Sequence, residues 1–173
     1  MSRLIEQLNE QIAHEYAAHQ QYVAAAVYYD TEAMPQLAGF FYRQALEERT
    51  HAMMIVRYLI DIDARVVIPG IDAPKTEFGD IVEPVALALE QEQQVSGQFD
   101  TLAETAAAEK DHKTAFFVQW FLKEQVEEVS TMSDLLKVVE RGRGQPLLIE
   151  DFLARNPYGE GDEGSFQPAV AGG

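Results

Sequence analysis

The chain reads as all-α: an antiparallel four-helix bundle with one long crossover between helices 2 and 3, plus a short fifth helix near the C-terminal end. Three observations predict this. Apolar residues recur at helical spacing in four segments of roughly 25–30 residues, each about 40 Å long as a helix. The link between the first two segments is so short that they must lie antiparallel. The second and third are separated by a long Pro- and Gly-containing stretch that can travel the full height of a bundle, so the third runs parallel to the second.

The first helix spans residues 4 to about 30, with Leu4, Leu8, Ile12, Tyr22, Ala26 and Tyr29 as its apolar stripe and Ser2 as a plausible N-cap. Met34-Pro35 breaks the chain and restarts it, because proline suits the first turn of a helix. The second helix runs to about Ile62, and its buried face reads Phe41, Glu48, His51, Ile55 and Tyr58. From Asp63 to Asp80 no helical period survives, yet Val66, Val67, Ile68 and Ile71 are too apolar for a solvated linker. This segment is expected to lie along a surface.

The third helix begins near Glu83-Pro84 and continues through Leu89, Val95, Phe99 and Leu102 to about Glu109. A turn at Lys110-Asp111-His112 leads into the fourth, whose stripe is Phe117, Phe121, Met132, Leu135 and Val139 and which ends at Gly142 and Gly144. Leu147 to Ala154 forms the short fifth helix. One domain therefore covers 1–155, and the Gly-, Pro- and acid-containing tail 156–173 is expected to be disordered.

Composition narrows the function. At 173 residues, 47% hydrophobic and 24% charged, the chain can bury a single substantial core. No apolar run reaches membrane-spanning length and the N-terminal residues lack a signal-peptide core, so a cytoplasmic protein with no membrane partner is expected. Cysteine is absent, which excludes disulfides, thiolate catalysis and cysteine-ligated metal centres. With 13 basic against 29 acidic residues the net charge is −16, which argues against nucleic acid and suits a protein that attracts cations.

The informative feature is acid where core should be. Glu15 lies in the stripe of the first helix, Glu48 and His51 in the second, Glu92 between Leu89 and Val95 in the third, and Gln125 and Glu128 between Phe121 and Met132 in the fourth. Four carboxylates gathered in a bundle core repel one another unless something positive sits among them, and Lys and Arg are missing from these stripes. Two divalent cations would balance Glu15, Glu48, Glu92 and Glu128 charge for charge. Oxygen-rich ligands with one imidazole suit iron or manganese better than zinc or copper.

With these residues in place the chain resembles the bacterial non-haem ferritins, of the actinobacterial type, up to about Arg155. Ferritin-like di-iron bundles, the general illustration of such a site, take one Glu from each of two helices and Glu-x-x-His from the other two. Here the fourth helix reads Gln125-Val126-Glu127-Glu128, and Gln-x-x-Glu is the ferritin form, whereas Glu-x-x-His would indicate a bacterioferritin. The haem-ligating Met that bacterioferritins carry directly after the second-helix Glu is Arg49, so no haem is expected, and Met53 and Met54 read as core packing.

The resemblance implies a ligand set. One iron would be held by Glu15, Glu48 and His51, the second by Glu48, Glu92 and Glu128, with Glu48 bridging and Gln125 close by. A third iron beside the pair would take Glu47, Glu124 and Glu127. Tyr22 would adjoin the pair and supply an electron; Trp120 lies nearby as packing; His19, one turn from Glu15, is an optional further ligand; His14 and His112 read as surface residues.

The activity implied is that of a ferroxidase: oxidation of Fe(II) by dioxygen, two ferrous ions delivering two electrons together. The assembly implied is a homo-oligomeric shell of 24 chains storing ferric mineral, with Val66 to Ile71 packed on a two-fold partner and the short fifth helix at four-fold contacts. Where vertebrate ferritins place two acids early in the fourth helix to lead iron inward, this chain has Ala115 and Val118, with Glu109 and Asp111 as alternatives. Two other readings stand beside ferritin: a di-iron peroxidase of the rubrerythrin kind, and a bundle whose acids bind cations without chemistry.

Overall fold

A computed structural model describes residues 2–158 and 167–172. Among these the helices are α1 (Arg3–Thr31), α2 (Pro35–Asp61), α3 (Glu83–Ala108), α4 (His112–Gly142) and α5 (Pro146–Arg155), with no strand. Each expected helix is present and its ends lie within a residue or two of expectation. The ends have local causes. Ser2 Oγ accepts from Ile5 N at 3.3 Å, and Asp111 Oδ1 accepts from Thr114 N at 3.0 Å, so two helix starts carry side-chain caps. Pro35 opens α2, and Asp80 Oδ1 takes the amides of Val82 and Glu83 at 2.9 and 3.1 Å ahead of α3. Among the described residues no helix is long and apolar enough to cross a membrane.

The N-terminus of α2 has no cap of its own. Glu150 of α5 fills that role, its carboxylate accepting from Gln36 N at 2.7 Å and Leu37 N at 3.1 Å. Those are orphan donors at the positive end of the helix dipole, where an anion is favoured. Gly142 lets α5 come this close: a Cβ there would stand 2.3 Å from Ile149 Cγ1, and Ile149 is buried.

The crossover (residues 62–82) runs alongside α1 in the same direction. Asn9 donates to Arg65 O at 3.0 Å and accepts from Val67 N at 2.6 Å. Twelve residues further along α1, Gln21 makes the same reciprocal pair with the backbone of Lys75, both bonds 2.8 Å, and Tyr29 donates to Ile81 O at 2.6 Å. These rungs carry the chain from one end of the bundle to the other, so α3 starts beside the end of α1 and runs parallel to α2. Ile68, at 67% exposure, faces outward with Val67 and Ile71.

The core is not continuous. One apolar cluster holds Ala18, Tyr22, Phe41, Ala45, Ala88 and Met132. The other holds Ile12, Ala52, Ile55, Val95, Phe99 and Phe121. The gap falls at the same height on all four long helices, where the buried side chains are polar: Glu15, Glu48, His51, Glu92, Gln125 and Glu128.

Two parts of the expected tail are placed. The Tyr158 ring lies 6.3 Å from Phe40, and residues 167–172 lie on the bundle, where Ala171 N donates to Met53 O at 3.2 Å and Val170 packs on the second cluster. Pro168 is buried. A backbone bond to α2 and apolar contact give this stretch an anchor that composition does not reveal; 159–166 lie outside the described residues.

Replacing Glu150 by Ala removes both acceptors at the α2 N-terminus and should cost about 1–2 kcal/mol, read as a lowered Tm. Gly142→Ala should likewise lower Tm, because the new methyl collides with Ile149 and pushes α5 outward.

Candidate metal centre

The polar layer is built by helical period. Glu15 and Tyr22 share a face of α1 two turns apart, and Glu48 and His51 are an i, i+3 pair on α2, as are Gln125 and Glu128 on α4. Glu92 comes from α3. Pairing α1 with α2 and α3 with α4 points these side chains at one another across the bundle axis. Glu15 is 0% and Glu48 and Glu92 each 1% exposed, so water does not screen them.

Their oxygens and nitrogens form two overlapping groups. Glu15, Glu48 and His51 make one, and Glu48, Glu92 and Glu128 the other; within each, one donor atom per residue lies within 4.8 Å of the rest. Glu48 belongs to both. These are the two trios expected from the sequence. His51 Nδ1 stands 3.7 Å from Glu15 Oε2, 3.6 Å from Glu48 Oε2 and 3.8 Å from Glu128 Oε1. Such separations are too long for hydrogen bonds and close to those of atoms that share one cation.

Four of the buried side-chain atoms without a hydrogen-bond partner belong to this layer: Glu15 Oε2, Glu48 Oε1, His51 Nδ1 and Glu128 Oε2. Buried polar atoms are normally paired, so a cluster of unpaired ones, three of them carboxylate oxygens, marks a place for a positive ligand. Three of the other oxygens, Glu15 Oε1 and both of Glu92, are held. Gln11 Nε2 donates to Glu15 Oε1 at 2.7 Å, and Gln125 Nε2 donates to Glu92 Oε2 at 3.0 Å and to Glu92 O at 3.2 Å. Tyr22 Oη donates to Glu92 Oε1. The His51 ring is walled by the edges of Trp120 and Phe121, with centroids 5.6 and 5.8 Å away.

The expected third trio is assembled only in part. Glu124 joins His51 and Glu128 in a further group of donor atoms. Glu47 instead accepts from Gln44 Nε2, and Glu127 points to solvent, 3.7 Å from Lys123 Nζ. His19 Nδ1 is bonded to Ala45 O at 2.6 Å, which ties α1 to α2 and directs that nitrogen away from the layer. His14 and His112 are exposed, and Met54 is in the core. Val118 is fully buried, so it lines no channel, and Asp111 is engaged in capping α4. The residue that sequence reasoning missed is Gln11, buried at 2% in the same stripe as Leu4, Leu8 and Glu15. The test that singled out Gln125 applies equally to it.

Electrostatics follow from burial. Loss of solvent, then the neighbouring carboxylates Glu92 and Glu15, hold the Glu48 carboxyl well above its ordinary range. Burial followed by Glu48 and Glu92 does the same to Glu128. Burial also raises Glu92, although the bonds from Tyr22 and Gln125 pull the other way. Burial works against a charged His51, but Glu128 and Glu15 outweigh it and raise the imidazole to about 9. Tyr22, raised by burial and then by Glu92, stays a neutral donor.

A four-helix bundle with two oxygen-rich trios sharing one carboxylate offers donor sets that could hold metal ions. The family model for the ferritin-like domain matches residues 5–142. The chain is 48% identical over 166 residues to ferritin BfrB of Mycolicibacterium smegmatis, covering 96% of this chain and 91% of that one. It is 41% identical over 138 residues to the bacterial non-heme ferritin of Staphylococcus aureus, covering 80% and 83% respectively. Among solved structures, an open-pore ferritin from the hyperthermophilic archaeon Archaeoglobus fulgidus superposes with a TM-score of 0.84 at 27% identity, covering 90% of this chain and 95% of that chain. The chain belongs to the ferritin family of iron-storage proteins.

The raised carboxyls mean that the metal-free folded chain binds more protons than the unfolded chain above the ordinary Glu range, so its stability falls as pH rises. His51 acts in the same direction: its contribution is complete below its ordinary value of about 6.5 and is lost as pH rises through about 9. The Tm of metal-free protein should therefore drop between about pH 5 and pH 9, and Co(II) should flatten that slope while releasing protons. Glu48→Gln should raise the metal-free Tm at pH 8, by roughly 1–3 kcal/mol in stability, and should remove most of the stabilisation by Co(II).

Proposed function

We propose that this chain is a ferroxidase as well as an iron store: Fe(II) is its substrate and dioxygen its oxidant. The observation that carries the reading is the water-poor layer in which three carboxylates and one imidazole, from α1, α2 and α4, leave side-chain atoms without partners, with the buried Glu92 of α3 beside them. One ferrous ion is taken by Glu15, Glu48 and His51 and the other by Glu48, Glu92 and Glu128, with Gln125 fixing Glu92. Each iron gives up one electron, and dioxygen with two protons becomes hydrogen peroxide.

The chain's own part is electrostatic and geometric. The carboxylates neutralise two dications, Glu48 holds both in one frame, and the aromatic wall keeps His51 oriented. Tyr22 adjoins the pair through its hydrogen bond to Glu92 and would hold that carboxylate in position. A third iron binds beside the pair at Glu124 with Glu47 and Glu127, the last leaving Lys123 to do so. No haem is involved: the residue after Glu48 is Arg49, and it is exposed.

Assembly into a cytoplasmic homo-oligomeric shell of 24 chains with a mineral-filled cavity completes the reading. Its support in this chain is apolar surface that a single copy leaves bare: Ile68 in the crossover, and Leu147 and Leu148 in α5, at 67%, 82% and 59% exposure. Its partners would be Fe(II), dioxygen and further copies of this chain, with no nucleic acid and no membrane.

Metal-free protein given Fe(II) in air should retain soluble iron far beyond about three ions per chain, with oxygen consumed in proportion. Uptake that stops at that number would leave a di-iron oxidase of the rubrerythrin kind without storage. Glu48→Ala should slow oxidation by at least about 100-fold, since losing a shared ligand exceeds the usual cost of losing a supporting residue; stopped-flow absorbance on the variant measures it.

A further inference from the structure

Gln11 is polar, buried, and set in an apolar stripe, and the ligand trios do not include it. Its Nε2 carries two protons and both are used, one toward Glu15 Oε1 at 2.7 Å and one toward Gln98 Oε1 of α3 at 3.2 Å. The Glu15 carboxylate can only accept, so it sets the Gln11 amide nitrogen toward it, and the bond to Gln98 holds the amide in that orientation. With Oε1 taken, Glu15 presents Oε2 alone to the layer, unpartnered and 3.7 Å from His51 Nδ1. Across the layer Gln125 treats Glu92 in the same manner, through a 3.0 Å bond to one oxygen. Behind Gln11, between α1 and α3, a half-open pocket of about 130 Å³ is lined by Glu10, His14, Gln98, Thr101 and Leu102. Gln11 stands between that cavity and Glu15.

We propose that Gln11, oriented by Gln98, is a positioning residue that aims Glu15 at the first cation of the pair and keeps cavity water from competing for it. The inference rests on the di-iron reading above. Loss of a supporting hydrogen bond to a metal ligand typically weakens metal binding by about 10–100-fold. The effect should fall on one half of the centre, because Gln11 touches no residue of the second trio, where Glu92 is held by Tyr22 and Gln125.

The test is a Co(II) titration of the full-length metal-free protein, followed by d–d absorption and calorimetry. Gln11→Leu keeps the volume and removes the donor. It should weaken one of the two tight Co(II) steps by about 10–100-fold, and leave the other within about twofold. Gln98→Leu spares the bond to Glu15 but frees the amide to turn, so it should weaken the same step by less; it carries the test alone if Gln11→Leu does not fold. Wild-type protein with two tight steps and variants with both steps unchanged, or both equally weakened, would overturn the role of Gln11 and leave the di-iron reading standing. Wild-type protein with no paired Co(II) binding would overturn both.

Discussion

Glu15, Glu48, Glu92 and Glu128 are gathered at one height of the bundle with almost no solvent to screen them. Like charges so placed repel, and each raises the proton affinity of the next. Among the described residues no lysine or arginine is buried in the layer, so cations or protons must supply the balance. The rest of the fold is organised to keep this arrangement intact. Two apolar clusters lie above and below the layer and hold the four helices together where the layer itself pushes them apart.

That division explains why stability and chemistry are opposed at the same residues. An apolar side chain in place of Glu48 would suit the bundle better when metal is absent, and would leave nothing to hold the cations. The aromatic residues around His51 belong to the core and to the centre at once. Phe121 stacks on Phe99 at 4.6 Å while its edge meets the imidazole at 5.8 Å. Ring packing of this kind restrains ligand orientation through ordinary core contacts, which is how a soft chain can fix a small ion.

Long-range polar contacts do the corresponding work outside the layer. Asn9 and Gln21 each clamp the crossover through paired backbone bonds, and Glu150 closes the start of α2. All three place an amide or carboxylate against backbone groups that would otherwise be unsatisfied. Together they set helix direction and end position, and so the height at which Glu15, Glu48, Glu92 and Glu128 meet. The surfaces left apolar, at Ile68 and Leu147, face away from the centre, where contact with further copies would not disturb it.

Helix extents, the direction of each helix and the buried carboxylates were legible in the amino-acid order; their division into two trios came only from the resemblance to the non-haem ferritins. A helix repeats every 3.6 residues, so a Glu inside an apolar stripe is placed on the buried face by its own neighbours. Glu15, Glu48, Glu92 and Glu128 carry that signal locally. Other features have no local signal, because their partners are far away in the chain. Gln11 looks like any helical glutamine until Gln98, 87 residues on, accepts from it. Glu150 caps a helix 113 residues earlier, and residues 167–172 dock although their composition reads as tail. Glu127 shows the converse: its spacing from Glu124 is right, but a neighbouring Lys123 draws it toward solvent. Periodicity decides which face a side chain occupies; only the packed helices decide what that side chain meets.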